Sequence, residues 1–68
     1  MTTYGKMKEV TTVGASYKAK DVVALVIGAF PETNKTSILP SDVVVGSKYL
    51  GKKNEPLFTK ENGTYTRI

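Results

Sequence analysis

From Ser16 onward the apolar residues recur with helical spacing. Ala19, Val22, Val23, Val26, Ile27 and Phe30 fall at i, i+3, i+4, i+7, i+8 and i+11, one face of an α-helix. Leu25 and Ala29 widen the stripe, so the pattern predicts a helix over 19–30 with most of its surface buried. Ser16 is the expected cap, Asp21 suits the positive end of the helix dipole, and Pro31 ends the helix by removing a backbone donor. The run from Val22 to Ile27, interrupted only by Ala24, is also compatible with a buried strand.

Residues 1–16 are rich in Thr, Gly and Lys, with Tyr4, Met7, Val10 and Val13 spaced three apart. Two elements fit: a helical turn docked on the core, or a short strand over Glu9-Val10-Thr11-Thr12-Val13 pairing with the C-terminal hairpin. Gly14 ends either one. Residues 1–16 are therefore set apart as an N-terminal segment, and residues 17–68 as the main domain.

After the polar turn Glu32-Thr33-Asn34-Lys35, Thr36 or Ser37 offers a hydroxyl to cap a second helix that begins Ile38-Leu39-Pro40 and reaches about Val45. Proline is tolerated in a first turn, and Gly46 supplies a stop. If Pro40 breaks the helix instead, Ser41-Asp42 restarts it one turn later. Residues 46–56 contain two glycines and a proline and read as a basic loop with at most one helical turn, Ser47 to Leu50. Asn62-Gly63 is the preferred pair for a type I′ turn, which predicts a terminal hairpin with Lys60 opposite Tyr65, Phe58 opposite Arg67 and Leu57 opposite Ile68. In that register Phe58 and Tyr65 pack on the helices, while Lys60 and Arg67 share their face and must reach outward.

Sixty-eight residues make one small core. Such a chain buries only about 60% of its unfolded surface, so a partner or self-association is a ready source of extra stability. With no Cys and no His, disulfides, Cys/His zinc sites and His-dependent nucleophilic catalysis are excluded. The scattered carboxylates Asp21, Glu32, Asp42, Glu55 and Glu61 have no metal-ligand spacing, and no phosphate loop is present, so no enzyme activity, metal or cofactor is expected. The N-terminus lacks the apolar run of a signal peptide, and Val22 to Phe30 is far shorter than the roughly 20 residues that span a bilayer. A cytoplasmic protein with no membrane association is expected.

Ten basic residues against six acidic ones give a net charge of +4, which favours polyanionic partners. The excess lies in the second half, where Lys35, Lys48, Lys52, Lys53, Lys60 and Arg67 face only Asp42, Glu55 and Glu61. Lys48, Tyr49, Lys52 and Lys53 suit phosphate neutralisation with one ring free to stack, or a solvated loop with Tyr49 tucked into the core. Lys60 and Arg67 suit backbone contacts from the hairpin, or simply keep it soluble. Lys35, Thr36 and Ser37 stand at the expected N-terminus of the second helix, where free amides suit a phosphate and where capping alone also accounts for the hydroxyls. Ser41-Asp42 reads as capping and packing.

The segment Ile38-Leu39-Pro40-Ser41-Asp42, with Leu57-Phe58 and Gly63 followed by Tyr65, resembles a group of small winged-helix-like domains found alone or attached to nucleases of mobile elements and restriction systems. The resemblance spans roughly residues 17–68. It implies an α+β fold, a small winged helix in which helix-turn-helix-like helices precede a C-terminal hairpin wing. Where members of the group continue with aromatic and Asn residues, this chain has Val43-Val44-Val45-Gly46. The expected function is binding of double-stranded DNA with modest sequence discrimination, in a regulatory, phage or mobile-element role. The alternative is a protein-interaction module that docks on a host or partner protein, or on a second copy, through Val43-Val44-Val45 if exposed. A third reading is RNA binding, with Tyr4, Tyr17, Tyr49 and Tyr65 stacking on unpaired bases.

Overall fold

The chain opens with an α-helix, α1 (Thr3–Val10), because Thr2 holds its first turn: the Thr2 Oγ1 accepts from the Gly5 N–H at 3.0 Å. The three-residue spacing of Tyr4, Met7 and Val10 places them on one face, with Met7 buried and the other two packed beside it. Of the two readings of the N-terminal segment, the helix is therefore the one observed for 3–10. A strand does pair with the hairpin, but it lies later, at β1 (Ser16–Lys18), after a reversal in which Gly14 adopts a φ of +89°. The computed structural model describes residues 1–51 and 54–68.

Helix α2 (Ala19–Ala29) follows β1 directly. Its cap corrects the sequence expectation. Ser16 lies in β1 and bonds Thr66 Oγ1 at 3.0 Å, while Lys18 is the capping position and its N–H donates to Asp21 Oδ2 at 3.0 Å. The reach-back from the third helical position satisfies the backbone just where the strand ends. Phe30 N–H closes the last turn on Val26 O at 2.7 Å, and Pro31 stops the helix as expected. Val22 and Val26 are fully buried, yet Ala24, Leu25 and Ala29 are exposed, Leu25 to 39%. The helix is thus less enclosed than its composition predicts: a chain this short has too few elements to cover all of it.

The second helix does not form as an α-helix over 38–45. Two 3₁₀ turns, Lys35–Ser37 and Pro40–Val43, take its place. Leu39 precedes Pro40, which disfavours the α region for it, and it sits at φ −120°, ψ 86°. The helical path is therefore cut there and restarts at Pro40. Asn34, rather than Thr36 or Ser37, caps the first turn: its Oδ1 accepts from Thr36 N–H at 3.0 Å. Val44 then goes extended and forms a parallel bridge with Phe58, with Val45 N–H donating to Phe58 O at 2.9 Å and Leu57 N–H to Val43 O at 2.8 Å.

The terminal hairpin has the expected register. β2 (Phe58–Glu61) and β3 (Thr64–Arg67) pair with Phe58 opposite Arg67 and Lys60 opposite Tyr65, around Asn62 and Gly63, both at positive φ. β1 adds to the other side of β3, giving an antiparallel sheet of order β1-β3-β2. Phe58 and Tyr65 meet edge to face at 5.9 Å. With Met7, Val22, Val26, Ile38, Val43 and Leu57 they form one core between the helices and the sheet. The fold is α+β.

Candidate nucleic-acid interface

The bridge of Val44 to Phe58 determines where the basic loop starts. Because Val45 is bonded to Phe58 O, the chain leaves the core at Gly46 from the β2 edge of the sheet, the strand that carries Lys60. Loop and wing are thereby hung from one sheet edge. In the loop, Ser47 Oγ accepts from Tyr49 N–H at 3.2 Å and tightens the turn over 47–50. Tyr49 is 70% exposed rather than tucked into the core, and the Lys48 ammonium lies 5.4 Å from its ring centroid. Lys52 and Lys53, the other two cations expected here, lie outside the described residues.

Lys60 is exposed on β2, with its ammonium 5.5 Å from the ring of Tyr65, directly across the hairpin. Arg67 behaves otherwise. It was expected to reach outward from the same face, but it is only 8% exposed; its Nε donates to Thr11 Oγ1 at 3.0 Å and its Nη1 to the Ile68 carbonyl. Arg67 shares the core-facing side of β3 with the buried Tyr65, and Thr11 at the end of α1 lies within hydrogen-bond reach there, so the guanidinium turns inward. It joins the N-terminal segment to the last strand and offers no fork to a ligand.

Lys35, Thr36 and Ser37 are all exposed, but no helix starts at them. The amide of Thr36 is taken by Asn34 Oδ1 and that of Ser37 by Asn34 O. A three-residue turn lacks the summed dipole of a helix N-terminus, so the helix on which a phosphate contact was expected there does not form. Ser37 instead borders a cleft of about 180 Å³ between α1, the second 3₁₀ turn and the basic loop, where Tyr49 and Leu50 line the other wall. Tyr4 Oη closes its neighbourhood by donating to Glu55 O at 2.6 Å.

Two exposed cations not among the expected site residues stand elsewhere on the surface. Lys18 Nζ donates to Thr64 Oγ1 at 2.9 Å across the β1–β3 pair, and Lys20 stands with Lys35 beside the exposed side of α2. The spacing of Lys20 before Val23, Ala24 and Ile27 was the available signal for the second. Among the described residues the one ion pair is Lys6 with Glu32 at 3.6 Å, so Lys35, Lys48 and Lys60 carry charge that no described acid neutralises at contact distance. The Val43-Val44-Val45 run is not the exposed contact that protein docking would use: Val43 is buried, Val44 is half-buried and only Val45 is exposed. No helix among the described residues is long and apolar enough to cross a membrane.

Comparison with protein-family models, curated proteins and solved structures finds no match to this chain.

Proposed function

We propose that the chain is a winged-helix-like module that binds double-stranded DNA through its phosphates, using the loop from Gly46 and the β2–β3 wing. The observation that carries this reading is the common origin of loop and wing at the β2 edge, which ties Lys48 and Tyr49 to the strand bearing Lys60. Helices followed by a C-terminal hairpin support the winged-helix description. The replacement of its last helix by 3₁₀ turns removes the element that would enter a major groove. Binding through ammonium groups and one stacked ring then holds the duplex without reading its sequence. Lys52 and Lys53 add to the same loop by sequence.

The test is fluorescence anisotropy of a random duplex and a random single strand at about 50 and 200 mM salt. Four phosphate contacts, from Lys48, Lys52, Lys53 and Lys60, correspond to a loss of roughly a hundredfold in affinity over that range. Tighter binding to the duplex with that salt response supports the proposal. Preference for the single strand would move the reading to RNA or unpaired DNA, and no binding to either would end it.

A further inference from the structure

Lys20, Val23, Ala24 and Ile27 share one face of α2 at i, i+3, i+4 and i+7. With Lys35 from the first 3₁₀ turn they line a groove of about 320 Å³, aliphatic along its floor and cationic at its rim. Val23 and Ile27 are half-buried and packed on the core, which keeps the floor in place, while the small, exposed Ala24 leaves the space open. Neither lysine is ion-paired among the described residues.

The chemistry of the groove discriminates among occupants. A phosphate backbone would meet hydrocarbon along the floor, with donors only at the rim. A second copy in a two-fold contact would bring the Lys20 and Lys35 rims of two chains of net charge +4 into one interface, and like charges gathered there oppose association. A segment with apolar side chains on one face and carboxylates beside them matches both the floor and the rim.

We propose that this groove docks a short amphipathic acidic segment of another protein, its apolar side chains seated on Val23, Ala24 and Ile27 and its carboxylates paired with Lys20 and Lys35. The site is separate from the DNA surface, since Lys48, Tyr49 and Lys60 do not line it. The module would thus hold a duplex at the β2 edge and an acidic partner on α2.

The experiment titrates the isotope-labelled full chain with a synthetic peptide of about 15 residues, roughly four helical turns. It carries Leu and Phe at i, i+3, i+4 and i+7 with Glu elsewhere, and its counterpart has Lys in place of every Glu. The acidic peptide is expected to shift the amides of α2 and of Lys35, and the Lys peptide to leave them unmoved. Ala24→Glu places a carboxylate on the apolar floor and should weaken binding by about tenfold or more. The exposed pair Lys20→Glu with Lys35→Glu, read by the same shifts, repeats the test at the rim without touching the core.

Four outcomes would overturn the proposal. These are an acidic peptide that shifts nothing on α2, equal binding of the Lys peptide, a random duplex that produces the same shifts and displaces the peptide, or a dimer in sedimentation that Ala24→Glu dissolves. The DNA reading fails separately, on the anisotropy of the duplex.

Discussion

Arg67 Nε donates to Thr11 Oγ1 at 3.0 Å, and the same hydroxyl donates to Met7 O at 2.7 Å. The last strand is thereby coupled to the C-terminus of the first helix through one buried threonine, across 56 residues of chain. A buried guanidinium with its acceptors in place is well accommodated; the same group deprived of one is not.

Thr11→Val should therefore cost about 1–3 kcal/mol, because it removes both the acceptor of Arg67 and the donor to Met7 while conserving volume. Arg67→Ala is expected to destabilise at least as much. A double-mutant cycle by urea denaturation should show clear coupling, and additive effects would mean that the contact contributes little.

At the hairpin turn, Gly63 has a φ of +77° and open space where a Cβ would lie. Gly63→Ala should then cost roughly 1–2 kcal/mol purely through backbone strain, the penalty of a left-handed L-residue. A chemical-shift spectrum should show the β2–β3 register preserved. A larger loss, or a changed register, would point to a contact at the turn.

The cap of α2 makes opposite predictions for two residues. Asp21→Ala removes the acceptor of Lys18 N–H and should cost about 1 kcal/mol in a thermal or urea melt. Ser16→Ala, which loses only an exposed hydroxyl pair with Thr66, should change stability by less than about 0.5 kcal/mol. The reverse order would return the cap to Ser16.

Lys48→Glu together with Lys60→Glu should weaken duplex binding alike for all sequences and reduce the slope of log K against log salt by about 2, one unit for each phosphate contact removed. Arg67→Ala, by contrast, should leave that slope unchanged once the folded fraction is accounted for, because the buried guanidinium meets no phosphate. Anisotropy over a salt series reads both.

What the sequence determined by itself was whatever a few neighbouring residues settle among themselves. Asn62-Gly63 accepts positive φ at both positions, and that turn alone sets Lys60 opposite Tyr65 and Phe58 opposite Arg67. The apolar period from Ala19 and the block at Pro31 likewise define α2, whose end bonds are made by its immediate chain neighbours Lys18 and Phe30. The cleavage of the expected second helix at Leu39-Pro40 was also written locally, in the restriction that proline places on the residue before it. Only the tertiary structure decided the rest, because the competing states differ in their long-range partners. Ser16 can cap a helix or join a strand, and Thr66 on β3 draws it into the sheet. Val44 and Val45 can extend a helix, but Phe58 offers a bridge that also completes the core. Arg67 can reach outward as a wing cation, and Thr11, brought beside it by the packing of α1, turns it into an internal tie.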